Sequence, residues 1–357
     1  MVKAPAILFL LLSIVLLLSF ATSHHDNSRV DLRKVYSRPY DQWPAPFVDK
    51  EIDWKELGIL PATPLLVSSD SLRPVVELGK ILFFEPRISG SGKISCASCH
   101  QPELSWTDKR ERSLGHGDQV NKRNSPSLQN VWFYKKLFWD GRSADLEDQA
   151  FAPINSESEM HGDMRSLPFK LKSIPGYPSL FAAAFGDSLI NADRVATALA
   201  MFERTISSRK SRFDEFLQGD KNALNKTELR GLHLFRTKAR CMNCHHGPLF
   251  SDNSFHNNGF AGKDKGLYQV THRDEDLGKL KTPSLRDVMR TGPWMHDGAE
   301  KEMPQIIEKY NKGVANPRTD KLIKPLRLNT REKADLLAFL EAISSAPLEF
   351  KRPRLPG

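Results

Sequence analysis

Two short stretches of this chain concentrate residues that can do chemistry. Cys96, Cys99 and His100 form one Cys-x-x-Cys-His motif, and Cys241, Cys244 and His245 form a second; together they use all four cysteines of the 357-residue chain. Two thiols one helical turn apart can form thioether bonds to the vinyl groups of a porphyrin, and the histidine that follows then reaches the iron. Paired cysteines can also hold zinc or act as redox dithiols, but either use leaves both adjacent histidines unexplained. The motifs therefore predict two covalently bound hemes c, with His100 and His245 as proximal ligands. No cysteine remains for a disulfide. The chemistry of each site then turns on the far side of its iron, where an open position permits reaction and a filled one favours electron transfer.

The elements that must position these residues read as helices. Asn191 precedes the stripe Val195, Leu199, Phe202 and Ile206. Asn225 with Glu228 and Asn329 with Glu332 have capping-box spacing ahead of Leu229, Leu232 and Phe235, and of Leu336, Leu337, Leu340 and Ile343. No alternating strand pattern competes. Long stretches containing Gly and Pro (Gly141 to Pro178, Gly247 to Gly266, Gly292 to Gly298) exceed simple turns, and loops of that length are usually functional. The repeated motif predicts an all-α fold of two cytochrome c-like heme domains in tandem with long loops. The polar breaks Ser207 to Ser211 and Gly219 to Asn222 place the boundary near 210, giving an N-terminal domain over 55–210 and a C-terminal domain over 211–357. Residues 24–54 are polar and proline-bearing and read as a tail that wraps the first domain or stays loose.

The chain is 39% hydrophobic and 27% charged, which excludes a disordered or membrane-embedded class. Behind Lys3, an apolar run from Ala4 to Phe20 ends in the small residues Ala21, Thr22 and Ser23, the pattern of a secretory signal over 1–23. Its length is borderline for a bilayer span, so a cleaved signal is favoured over an uncleaved anchor. A periplasmic location follows, where heme is attached to c-type cytochromes. The formal charge of +9 includes Lys3 and omits the heme propionates. A mildly basic surface either favours an acidic redox partner or is simply solvated, and no nucleic-acid partner is expected.

The strings around the motifs resemble the bacterial diheme cytochrome c peroxidases and their MauG relatives from about Leu72 to Ile343. The resemblance is carried by Ser95–His100, Arg123–Leu128 (Arg-Asn-Ser-Pro-Ser-Leu), Phe138–Arg142 (Phe-Trp-Asp-Gly-Arg), Leu146–Gln149, Ser158–Met160, Cys241–His245, Thr282–Arg286 and Thr291–Gly298 (Thr-Gly-Pro-Trp-Met-His-Asp-Gly). It implies that the N-terminal heme is the peroxidatic one. Glu159 matches the distal carboxylate that moves a proton between the peroxide oxygens, Gln149 the glutamine that helps hold peroxide, and Trp139 the tryptophan between the hemes. His116, flanked by Gly115 and Gly117, falls where a displaceable ligand of the resting first heme is expected. Asn124, Thr291 and Pro293 match an interdomain calcium site, whose side-chain and backbone oxygens suit a hard cation.

The sequence departs from the well-known peroxidases at the second heme. Fourteen residues after His296, where those enzymes carry a methionine ligand, stands Tyr310. MauG-type enzymes place a tyrosine there, and a phenolate favours ferric and higher states where a thioether favours the ferrous one. Tyr310 also shares a helical face with Met303, Ile306 and Ile307, so a core tyrosine is the competing reading, with Met295 and Met303 as alternative ligands. The resemblance implies hydrogen peroxide reduction with electrons from a small c-type cytochrome or cupredoxin, in an enzyme of a type that is often a homodimer. The alternatives are MauG-like oxidation of tryptophan residues in a partner protein and a plain diheme electron carrier.

Overall fold

The computed structural model describes residues 31–63, 70–314, 316–347 and 349–357; the expected signal segment, 1–23, lies outside them. Helices dominate in chain order: α1 (Leu32–Tyr36), α2 (Arg73–Phe83), α3 (Cys96–Cys99), α4 (Leu146–Asn155), α5 (Leu167–Lys172), α6 (Tyr177–Phe185), α7 (Ala192–Glu203), α8 (Arg212–Leu217), α9 (Lys226–Arg236), α10 (Tyr268–Thr271), α11 (Met303–Lys312) and α12 (Thr330–Ala342). The caps anticipated at their starts are formed. Asn191 accepts from the Arg194 N–H, and Asn225 with Glu228 and Asn329 with Glu332 close reciprocal capping boxes. Among the described residues the only strands are β1 (Phe255–His256) and β2 (Leu280–Lys281), an antiparallel pair with Phe255 opposite Lys281. This small ladder brings the Lys281 N–H to the Trp139 carbonyl at 2.9 Å.

The apolar stripes bury into two main clusters. One gathers residues between Val75 and Ile206 around α2 and α7, and the other gathers Phe213 to Ile343 around α9 and α12. Each cluster is organised by a close helix crossing that only glycine permits. A Cβ on Gly79 of α2 would lie 1.8 Å from the Ala198 carbonyl of α7, and one on Gly231 of α9 would lie 2.0 Å from the Asp335 carbonyl of α12.

The first described segment, from residue 31, and the last both pack away from where their sequence position suggests. From residue 31 on, the N-terminal tail packs on the second cluster rather than wrapping the first: Tyr36 and Trp43 are buried there, with Leu57 just beyond. The fully buried Arg236 explains the docking, because its guanidinium pairs with Glu56 and lies 5.5 and 5.2 Å from the ring centres of Tyr36 and Trp43. Conversely, Phe350 and Leu355 pack on the first cluster. The Phe350 ring stacks on Phe84 at 5.5 Å and meets Trp106 edge-on at 5.2 Å, while Arg352 pairs with Glu103 at 3.0 Å. Neither aromatic contact has a local sequence signature.

Candidate heme sites and the residues between them

Cys96, Cys99 and His100 line a cavity of about 500 Å³. The Cys-x-x-Cys turn is the short helix α3, steadied by the Ser98 hydroxyl, which accepts from the Ser95 N–H at 3.0 Å. The His100 Nδ1 lies 3.2 Å from the Trp106 carbonyl. A proton on Nδ1 donated to that carbonyl leaves the Nε2 lone pair for a metal, the usual outer partner of a ligating histidine. Burial pushes the imidazole below the usual histidine range, which keeps it neutral as a ligand must be.

Glu159 and Gln149 line the same cavity. Gln149 comes from α4, whose start is capped by Asp145 accepting from the Asp148 N–H. Glu159 sits in the loop that follows. Burial raises its carboxyl above the ordinary range, partly opposed by the Arg142 guanidinium. Arg142 is itself held by both oxygens of Asp140 at 3.0 Å and by the Phe138 ring, 3.4 Å away. His116 is not brought into this cavity. Its ring stacks on His161 with centroids 4.3 Å apart, its backbone N–H donates to the Glu159 carbonyl at 2.7 Å, and its ring Nδ1 is buried without a partner among the described residues.

The second cavity, about 300 Å³, is lined by Cys241, Cys244 and His245 together with Tyr310, Met295, Met303 and His296. His245 repeats the pattern of His100: its Nδ1 lies 2.9 Å from the Phe250 carbonyl, and burial lowers its pKa. Tyr310 comes from α11, and its hydroxyl accepts from the Asn258 amide at 3.1 Å. Burial pushes the phenol up to about 12. The competing core reading is met as well, since Ile306, Ile307 and Met303 share the cavity wall. Beside Cys244, His256 is clamped between Asp252 at 2.7 Å and Asp320 at 2.6 Å, which tie β1 to the loop before α12. Cys244, Asp252 and His256 are near enough to share a cation, but the thiol belongs to the Cys-x-x-Cys-His turn.

Trp139 lines both cavities, with its indole N–H donated to the Asn124 carbonyl at 3.0 Å. Tyr134 and Lys281 line both as well, and neither stood out in the sequence. The Lys281 ammonium lies 3.8 Å from the centre of the Tyr134 ring, and burial pulls its pKa down to about 7. Arg123 adds a polar bridge, holding Asp264 through two bonds of 2.7 and 2.8 Å and Asp140 at 2.6 Å. Asn124, Thr291 and Pro293 all line the second cavity. The Asn124 amide nitrogen donates to the Arg110 and Glu111 carbonyls at 3.0 and 3.2 Å, which commits the nitrogen and leaves the side-chain oxygen as the free end. Glu203, buried on α7 and lining the first cavity, was also missed. Its signal was a carboxylate four residues after Leu199 on an apolar stripe.

Two cavities, each with a cysteine pair and a neutral histidine whose outer nitrogen is committed to a carbonyl, fit two covalently attached hemes and define a diheme c-type cytochrome. Residues 73–222 match the family model for di-haem cytochrome c peroxidase. The chain belongs to that family, which implies two c-type hemes. It is 36% identical over 337 residues to the cytochrome-c peroxidase IdrP1 of Pseudomonas sp. (strain SCT), covering 84% of this chain and 89% of that one. It is 40% identical over 286 residues to the methylamine utilization protein MauG of Methylorubrum extorquens, covering 79% and 81%. Among solved structures, a MauG-like protein associated with microbial copper homeostasis aligns with a TM-score of 0.71 at 28% identity, covering 83% of this chain and 95% of that one.

Proposed function

We propose that this chain is a diheme peroxidase that reduces hydrogen peroxide to water at the cavity of His100, with electrons entering singly at the cavity of His245. The observation that carries the reading is the pairing of Glu159 with Gln149 on the wall of the first cavity. Bound heme supplies the one-electron couple and the iron at which peroxide is taken up. Glu159, raised by burial and so basic enough to accept a proton, takes it from one peroxide oxygen and returns it to the other, the leaving one. Gln149 donates a hydrogen bond that holds the peroxide in place. The overall change consumes two electrons and two protons per peroxide and yields two waters.

On this reading the chain is two cytochrome c-like units in tandem, and Trp139, which touches both cavities, passes electrons between them. His116 is the displaceable ligand of the resting first heme. Its unpartnered Nδ1 supports that role, and the stack on His161 is its displaced position. Calcium would be held by oxygens of Asn124, Thr291 and Pro293, with waters completing the shell. No helix among the described residues is long and apolar enough to cross a membrane. Export to the periplasm, delivery of electrons by a small c-type cytochrome or cupredoxin, and assembly as a homodimer complete the proposal.

A second reading is favoured by one observation. Tyr310 lines the second cavity, and a tyrosine ligand there suits MauG-like oxidation of tryptophan residues in a partner protein. Steady-state peroxide reduction with a small cytochrome donor separates the two, starting from fully oxidised and from half-reduced holoprotein. Turnover that begins only after prior reduction supports the peroxidase with a gating His116. Absence of donor turnover from either state rejects it in favour of the MauG-like reading.

A further inference from the structure

The last turns of α7 present Leu199 and Glu203, four residues apart and so on one face, to the cavity that holds Cys96, Cys99 and His100. Glu203 is 6% exposed, and its Oε2 has no hydrogen-bond partner among the described residues. The cation beside it is already engaged, since Arg204 makes two bonds of 2.7 and 2.8 Å to Glu147. The groups that face Glu203 are thus Arg204 at the end of its own helix, Glu147 on α4 and Cys96 on α3. Packed against the same helix, α2 meets it with Gly79 and Phe83, at Ala198 and Phe202, and its charged residues Arg73, Glu77 and Lys80 are not among the groups acting on Glu203.

A carboxylate this buried, without a cation or donor of its own, is costly to keep ionised. Burial pushes the acid up to about 8, with Arg204 opposing and Glu147 adding to the rise. Such a group exchanges a proton readily when a nearby charge changes. The nearby charge is supplied by the site itself, because Cys96 is a point of attachment of the first heme, whose net charge drops by one with each electron. In a low-dielectric interior that change acts strongly on the neighbouring carboxyl.

We propose that Glu203 is a redox-linked proton holder for the first heme: it takes up a proton when that heme gains an electron and releases it when the electron leaves. The electron comes from the donor and the proton from solvent, the only bond formed or broken is the carboxyl O–H, and the charge of the site stays constant. The role is distinct from that of Glu159, which moves a proton within the peroxide. The inference rests on the two-heme reading above.

The test is a spectroelectrochemical titration of the holoprotein, after a heme count by pyridine hemochrome. From about pH 8 upward, where oxidised-state Glu203 is ionised, the potential of the first heme should fall by up to about 59 mV per pH unit, the one-electron equivalent of a tenfold change, and below that it should level off. In a Glu203→Gln protein that retains both hemes the slope should flatten, while the second heme keeps its own pH dependence. An unchanged slope in that protein overturns the inference and leaves the peroxidase reading standing. Fewer than two hemes per wild-type chain overturns both. A readout that needs no variant is the redox-difference infrared spectrum of the wild type above about pH 8, where oxidised-state Glu203 is ionised. Reduction of the first heme should add a protonated-carboxyl band sensitive to heavy water, and its absence overturns the inference.

Discussion

Around Cys96–His100 the cavity wall carries Glu159, Gln149, Arg142 and Glu203, whereas around Cys241–His245 it carries Tyr310, Met295, Met303 and Ile307. The attachment turns are nearly equivalent, down to a histidine Nδ1 facing a backbone carbonyl in each. The first wall therefore carries two carboxyls that desolvation raises above their usual range, Glu203 buried and Glu159 half-buried. The second wall carries a phenol pushed up to about 12 and two thioethers, none of which exchanges a proton at neutral pH, and it shares Lys281 with the first. One attachment chemistry is thus set between two different walls. The distribution follows from which segment folds over which cavity: the loop after α4 delivers Glu159, and helix α11 delivers Tyr310.

The comparison can be broken most sharply at Glu159. Glu159→Gln should lower kcat for peroxide by about 10²–10⁴-fold while both hemes remain bound; peroxide turnover at the wild-type rate would remove the acid–base role from the first cavity. Next come the two cores, which should behave alike where the cavities differ. Leu82→Ala and Leu232→Ala, both at sites with no exposure, should each cost about 2–5 kcal/mol in denaturant unfolding. The two losses should add to within about 0.5 kcal/mol if the clusters are independent, and a larger discrepancy would mean the clusters respond as one.

At the second site, Tyr310→Met should raise the potential of that heme alone, by some part of the ~0.8 V that axial ligands span. An optical spectrum and potential unaltered by the change would mean the phenol only packs. The smallest effect is expected at Arg142, which lowers the Glu159 pKa against the pull of burial. Arg142→Ala leaves burial unopposed, so the base form needs a higher pH. The acid limb of the pH–rate profile should then move to higher pH. A limb that stays in place or moves down would show that Glu159 does not set it.

Much of the molecule was legible in the chain itself. The caps at Asn191, Asn225 and Asn329 and the apolar stripes behind them are local patterns, and the helices form where these patterns lie. Glu159, Gln149 and Trp139 were legible only through resemblance to a family, because a single acid in a loop or a tryptophan in a short string carries no chemistry of its own. His116 was matched by the same route, and in the structure its ring rests on His161, away from the cavity wall. The docking of the tail on Arg236 and the return of Phe350 to the first cluster were not legible at all. Both depend on side chains that meet across more than a hundred residues of chain.

The sequence by itself determined where the two Cys-x-x-Cys-His motifs lie and where the helices begin, since thioether spacing, capping and periodicity are properties of a few neighbouring residues. Only the tertiary structure decided how the sites differ. Burial of Glu159 and Glu203, commitment of Arg204 to Glu147, and the joint exposure of Trp139, Tyr134 and Lys281 to both cavities are matters of which surfaces are brought together. A carboxyl's affinity for its proton is set by the water and charge around it, and that environment exists only after the chain has folded.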